Sequence, residues 1–217
     1  MSGALQVVYQ NLRSFAPSVP TVIGQAFGGG FYAGQIGVSG TATHYLIVGP
    51  VASAENSSKQ YKNANTATAG ADSVIDGPQN TADMVADGSS TVYPAAHFCN
   101  DLVIGGFSDW YMPAKNELEV CYYNLKPSTT SNNTSSGINT NAVPSRGSNY
   151  TAGTPAQTSA TDFQTGGAEA FAAAFYWSST EHSATLAWKQ TFDNGGQNYS
   201  FDKTFSTPVR AVRRLPV

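Results

Sequence analysis

Two periods run through the hydrophobic pattern, and each places a different kind of element. Ile23 to Val38 is Gly-rich and carries aromatic residues around Gly28-Gly29-Gly30-Phe31-Tyr32, which predicts two strands joined by a tight turn or bulge. Tyr45-Leu46-Ile47-Val48 is a short apolar run of strand type ending near Pro50. Residues 52–92 are polar and turn-rich, with one helix predicted to start after Asp76 and Pro78 and to stop near Gly88. Pro94 suits a first helical position, where no N–H is needed, and Ala95, Phe98, Cys99 and Leu102 then share one face at i, i+3, i+4 and i+7. Pro113 opens another helix, with Leu118, Cys121, Tyr122 and Leu125 on one face and Pro127 closing it. Both cysteines therefore point into the core, where inert thiols or a disulfide between the two helix faces would fit.

The C-terminal third turns to strands. Phe175-Tyr176-Trp177-Ser178-Ser179-Thr180 is one; in the next, Leu186, Trp188, Gln190 and Phe192 alternate with Ala187, Lys189 and Thr191. Asp193-Asn194-Gly195-Gly196 is a hairpin turn, because these residues tolerate positive φ. Gln197 to Phe205 returns, and Val209 to Leu215 closes the chain as a final strand. Ser128 to Thr161 has no helical signal and a single charge, Arg146, and reads as a long polar excursion, 128–161. The pattern as a whole predicts an α+β fold: a small, mostly antiparallel sheet flanked by two short helices, with long irregular loops. Residues 1–20, ending in Ala16-Pro17-Ser18-Val19-Pro20, read as an arm outside the sheet and a candidate docking segment; residues 21–217 form the domain.

Composition narrows the function classes. At 217 residues the chain has the length of one decorated domain, and 41% hydrophobic residues are enough for a core. Only 12% of residues are charged, against roughly 25% in ordinary soluble domains, so the surface is neutral and rich in hydroxyls and amides. That surface suits an extracellular or virion protein. A net charge of -3 without a basic stripe argues against nucleic acid as a partner. No apolar run is long enough to insert in a membrane, and Met1-Ser2-Gly3-Ala4-Leu5-Gln6 lacks the basic start and apolar stretch of a signal peptide. Gly28-Gly29-Gly30 has neither the Lys-Ser/Thr nor the following helix of a phosphate cradle. Enzymatic signals are weak: Ser178 and Ser179 lack a Gly-x-Ser-x-Gly elbow, and His44, His97 and His182 have no evident partners. The acidic residues show no paired-carboxylate spacing, so no metal and no cofactor is expected.

Two blocks carry a family resemblance. Gly105-Gly106-Phe107-Ser108-Asp109-Trp110-Tyr111-Met112-Pro113 with Glu117-Leu118 is the first. Tyr176-Trp177-Ser178-Ser179-Thr180-Glu181, Ala187-Trp188, Phe192, Asn194-Gly195 and Val209-Arg210-Ala211-Val212-Arg213-Arg214 make up the second. In this order they resemble phage tail-fibre and bacterial surface domains similar to the C-terminal domain of the Legionella collagen-like protein. The resemblance implies a C-type-lectin-like fold, in which the chain ends pair in one sheet and a long irregular region carries binding loops. Trp110 and Trp177 would be core anchors whose indole N–H needs a partner. Arg210, Arg213 and Arg214 alternate with Ala211 and Val212 and are expected on a solvated face or at an edge.

The function implied is adhesion: a non-enzymatic virion protein, the receptor-binding module of a tail fibre or tail tip. Its partners would be a host cell-surface receptor, a glycan or a protein, and other virion proteins; by family analogy it would be a homo-oligomer, with a trimer as the phage pattern. The alternative is a capsid or tail decoration protein docked through its N-terminal arm. Candidate receptor-binding residues lie in the late hairpin and just before it: Glu181, His182, Trp188, Lys189, Asp193, Asn194, Gln197, Asn198, Tyr199, Phe201 and Lys203. Aromatic rings give large contact area at low rotamer cost, and short amides supply adaptable donors and acceptors. The Glu-Pro-Asn, Gln-Pro-Asp and Trp-Asn-Asp signatures of a calcium-dependent sugar site are missing, so binding is expected without metal.

Overall fold

In the computed structural model, which describes residues 19–217, the early segments run β1 (Ala26–Phe27), β2 (Gly30–Val38), β3 (Thr41–Val48), α1 (Val51–Ala54) and β4 (Glu55–Gln60). Three helices follow, α2 (Gly77–Asp87), α3 (Pro94–Asn100) and α4 (Lys115–Leu125). After a long irregular stretch come β5 (Phe175–Glu181), β6 (Ala187–Thr191), β7 (Gln197–Asn198), β8 (Ser206–Arg210) and β9 (Val212–Pro216). The arm expected over residues 1–20 lies, but for its last two residues, outside the described residues.

The strands form three antiparallel sheets, ordered β1-β2-β3-β9, β4-β8 and β5-β6-β7. The first closes the molecule, because β9 from the C-terminal end pairs with β3 from the start, Ile47 opposite Arg213. Gly28 and Gly29 make the β1–β2 turn with φ of 57° and 84°, which glycine adopts without strain. Strand alternation then sends Leu46 and Val48 into one apolar cluster and Ile47 into a second. The first holds Leu118, Cys121, Tyr122 and Leu125 of α4 with Phe171, Tyr176 and Phe192; the second holds Met84, Tyr93, Cys99, Trp110 and Trp177. Cys99 and Cys121 are thus free and buried in different clusters, which leaves the disulfide unformed. Burial pushes both thiols well above their ordinary pKa.

Helix starts follow local chemistry. Asp76 caps α2 by accepting from the Gln79 N–H at 3.3 Å. α4 begins at Lys115 rather than at Pro113, because Glu117 reaches back to accept from the Ala114 N–H at 2.8 Å. Trp110 and Trp177 are core anchors, and their indole N–H groups donate to the carbonyls of Phe107 and Lys59, both at 3.1 Å.

Several expectations are corrected. The closing strand is two strands: the Ala211 N–H bonds the Ala54 carbonyl and its carbonyl accepts from Gly49, which breaks the ladder between β8 and β9. The return after the hairpin is only two residues of strand, Gln197–Asn198. Arg210 and Arg213 are 1% and 2% exposed, not solvated. Arg210 donates to the Gly49 carbonyl and the Glu169 carboxylate, each at 2.8 Å. Arg213 grips Asp109 with two hydrogen bonds, of 2.7 and 2.8 Å, and also bonds the Gly28 carbonyl. That grip ties the first sequence block to the second. Arg214 stays partly exposed and pairs with Asp76 at 2.8 Å.

The 128–161 excursion is irregular yet packed. Buried amides take the place of a ladder: Asn132 donates to the Pro155 carbonyl at 2.8 Å and accepts from the Tyr122 hydroxyl at 2.7 Å. Glu119, on α4 and fully enclosed, accepts from the Tyr150 hydroxyl at 2.7 Å, from Asn139 and from Arg146. One buried carboxylate therefore clamps three points of the excursion.

Candidate functional site

The late hairpin lies against the excursion, and the two share a rim. The Asn194 carbonyl accepts from the Asn133 N–H at 2.8 Å, and the Gln197 N–H donates to Ser136 Oγ at 3.0 Å. The turn itself closes where the Gly195 N–H meets the Thr191 carbonyl at 2.9 Å, with Gly195 at φ of 76°. Asp193 is exposed at its tip, while Asn194 spends its Oδ1 on the Gly196 N–H at 3.0 Å.

Three of the nominated aromatic side chains form one surface group. The His182 and Tyr199 rings stack with centroids 3.6 Å apart, and Trp188 stands edge-on to both, at 5.4 and 4.8 Å. Tyr199 is 40% exposed, a large value for an aromatic side chain with two ring neighbours. Lys115, at the start of α4, holds its ammonium 4.2 Å from the Trp188 ring centroid. Its partial burial lowers its pKa, and Glu119 pulls the other way.

Beside this group a cleft of about 180 Å³ runs between hairpin and excursion, lined by Lys115, Trp188 and Gln197 on one side and by Ser135, Ser136, Ile138 and Asn149 on the other. Its excursion wall is held rigid, since Gly137 packs so closely on the Tyr150 ring that a Cβ there would lie 2.3 Å from a ring carbon. Gln197 also carries a buried Nε2 with no hydrogen-bond partner among the described residues. The cleft offers an aromatic wall, an apolar Ile138 that is 50% exposed, hydroxyls, amides and one cation. A larger cleft of about 410 Å³ lies at the β9 edge, lined by His44, Asp109 and Arg214 among others. There the charges are already engaged, Arg214 by Asp76 and Asp109 by Arg213.

Not every nominated residue is available to a receptor. Lys189 and Lys203 are 1% and 0% exposed. Lys203 bonds Glu181 at 2.6 Å and the Thr66 carbonyl at 3.0 Å, and Glu181 also accepts from the Thr68 N–H at 2.8 Å. These two residues pin the 61–72 loop to the late strands and present nothing outward. Lys189 lies between the Phe175 and Phe201 rings, at 4.8 and 3.5 Å from their centroids, and Phe201 packs further on Phe205. Asn198 turns its Oδ1 to the Ser200 N–H and hydroxyl. His182, Trp188, Gln197 and Tyr199 are the nominated residues brought together. Lys115, Ser135, Ile138 and Asn149 went unnominated, because an aperiodic stretch gives no sign of which positions face a neighbour; its length was the only signal.

Among the described residues, no group of three or more His, Cys, Asp and Glu side chains is placed to hold a metal ion, and no helix is long and apolar enough to cross a membrane.

A family model described as the Lcl C-terminal domain matches residues 62–213, a span that takes in both sequence blocks and the cleft. Among solved structures, the crystal structure of a fimbrial protein from Bacteroides ovatus ATCC 8483 is similar with a TM-score of 0.47 and 13% identity, over 84% of this chain. The aligned part is 43% of that fimbrial chain, less than half its length. No curated protein matches.

Proposed function

The chain belongs to the Lcl C-terminal domain family, and from that premise we propose that it is a non-enzymatic adhesin: the receptor-binding module of a phage tail fibre or tail tip, recognising a glycan on the host cell surface. The observation that carries the reading is the hairpin–excursion cleft, where Trp188 and Ile138 supply apolar faces beside Asn149, Gln197 and the serine hydroxyls. A sugar ring has the matching chemistry, an apolar C–H face with hydroxyls around its edge, and it needs donors and acceptors held at fixed positions. The clamp of Glu119 on the excursion supplies that fixity. Within this proposal the α+β fold is of the C-type-lectin-like kind, which the pairing of β9 with β3 supports. Binding proceeds without a metal ion, and the arm over residues 1–20 joins the domain to other virion proteins.

The test is direct. Fluorescently labelled protein is incubated with a panel of bacterial strains, and polysaccharide released from any strain that binds is used as competitor. The proposal expects strain-selective binding that the soluble polysaccharide displaces. Binding that protease treatment of the cells abolishes, and that the polysaccharide leaves untouched, would assign a protein receptor instead. Uniform absence of binding by an oligomer-tethered form of the protein would remove the adhesin reading.

A further inference from the structure

Lys189 on β6 and Ser200 just after β7 form a pair that adhesion does not use. The other buried lysines among the described residues meet oxygen-rich partners. Lys62 lies 3.5 Å from Asp87, Lys203 lies 2.6 Å from Glu181, and Lys126 donates to two carbonyl oxygens. Lys189 differs. Its side chain is enclosed, two phenyl rings wall its ammonium, and its hydrogen bond among the described residues is to Ser200 Oγ at 2.9 Å. No carboxylate among the described residues lies within ion-pair distance of it. Enclosure without a counter-ion favours the neutral amine and pushes the pKa down to about 8, although the ring faces offset part of that loss.

Ser200, by contrast, is exposed; its hydroxyl oxygen accepts from Lys189 Nζ at 2.9 Å and its O–H donates to Asn198 Oδ1 at 3.1 Å. A hydroxyl open to solvent with an enclosed amine behind it is the arrangement that activates a serine nucleophile. We propose that Ser200 is an acylation site that accepts one acyl group from an activated ester, with Lys189 as its general base. In the step, Lys189 first gives up its extra proton to water, the Ser200 O–H turns from Asn198 Oδ1 to the freed Nζ lone pair, and Ser200 Oγ bonds the ester carbonyl carbon while its proton passes to the neutral Lys189 Nζ. The bond from that carbon to the leaving oxygen breaks, and the leaving oxygen departs with the proton held on Lys189. The products are acyl-Ser200, the free alcohol or phenol and a neutral lysine, so no further reactant is needed. This modification is independent of receptor binding, since Trp188 and Gln197 carry the cleft side of the hairpin.

The full chain is treated with p-nitrophenyl acetate, release of nitrophenol is followed, and the acetylated positions are mapped by mass spectrometry of peptides. The expected result is about one equivalent of acetyl per chain on Ser200, well ahead of exposed Ser57, at a rate that rises with pH and levels off above about 8 as the amine becomes neutral. Lys189→Met keeps an unbranched apolar side chain between the rings and is expected to slow Ser200 labelling roughly 100-fold, as loss of a general base does. Ser200→Ala abolishes the fast phase. Acetyl on Lys189 itself, labelling of Ser200 no faster than of Ser57, or an unchanged rate in a folded Lys189→Met would each overturn the proposal. Should Lys189→Met fail to fold, the comparison of Ser200 with Ser57 across pH in the wild type still decides.

Discussion

Replacing Glu119 by alanine tests how the excursion is held. The Glu119 side chain is fully enclosed, and its carboxylate accepts from Tyr150, Asn139 and Arg146, all three in the excursion. In Glu119→Ala, Asn139 keeps its bond to the Asn116 carbonyl at 2.8 Å, but the Arg146 guanidinium loses its carboxylate. Arg146 is stacked 3.9 Å from the Tyr123 ring centroid, which restrains it from swinging out to water. Removing one partner of a buried ion pair costs about 3–5 kcal/mol. The Arg146 side chain is 15% exposed, so some solvation returns and the lower end applies, about 3 kcal/mol. For a domain of this size each kcal/mol lowers Tm by roughly 2–4 °C, so a fall of about 6–12 °C is expected in a thermal melt followed by circular dichroism. The protein stays folded, because that loss is smaller than the usual total of about 5–15 kcal/mol. Amide exchange should rise first over residues 139–150. The double variant Glu119→Ala/Arg146→Ala should recover part of the loss, since it leaves no cation stranded. A Glu119→Ala melt within about 3 °C of wild type would refute the clamp.

Two further predictions concern buried titratable groups. Burial raises the Glu117 carboxyl from its ordinary 4.5 to about 7, against the opposing hydrogen bonds from Ala114 and Tyr111 and the nearby Arg214. The folded protein therefore holds a proton there that the unfolded chain releases, and this contribution to stability is full below pH 4.5 and is lost as pH rises to 7. Across that window the Tm of wild type minus that of Glu117→Gln should fall; a difference that rises with pH would contradict the assignment. Cys99 and Cys121 are buried with raised thiol pKa values, so native protein should react with a thiol reagent only as fast as it unfolds, and both should react at once in denaturant. Fast labelling of either under native conditions would place it at the surface.

Much of the fold was legible because local chemistry decides it. The Gly28-Gly29 and Asn194-Gly195 turns, the start of α2 at Asp76 and the apolar face of α4 all depend on residues a few positions apart, whereas α3, expected to run past Leu102 to Gly105, stops at Asn100. What stayed hidden depends on distant partners. β4 reads Glu-Asn-Ser-Ser-Lys-Gln, with no strand pattern, and exists because β8 pairs with it. Arg210 and Arg213 looked solvated because nothing nearby neutralises them; Glu169 and Asp109 do so from far along the chain. β6 does not keep strict alternation, since Lys189 and Gln190, neighbours on opposite faces, are both buried, which takes Lys189 out of the nominated receptor residues. The aromatic side of the candidate cleft, Trp188 with its ring neighbours, was legible from residue types, while the excursion side required its packing on Tyr150 and Glu119.

The central claim is that the hairpin–excursion cleft is the receptor site. It is tested most directly by cell binding of an Ile138→Ala/Asn149→Ala variant, two exposed residues that line the cleft and whose loss leaves the packed interior untouched. The account predicts an unchanged melt and a loss of roughly 30-fold or more in affinity for any strain the wild type binds, the size expected when contacts at the centre of an interface are removed. Full-strength binding by the folded variant would contradict it and move the site away from this cleft.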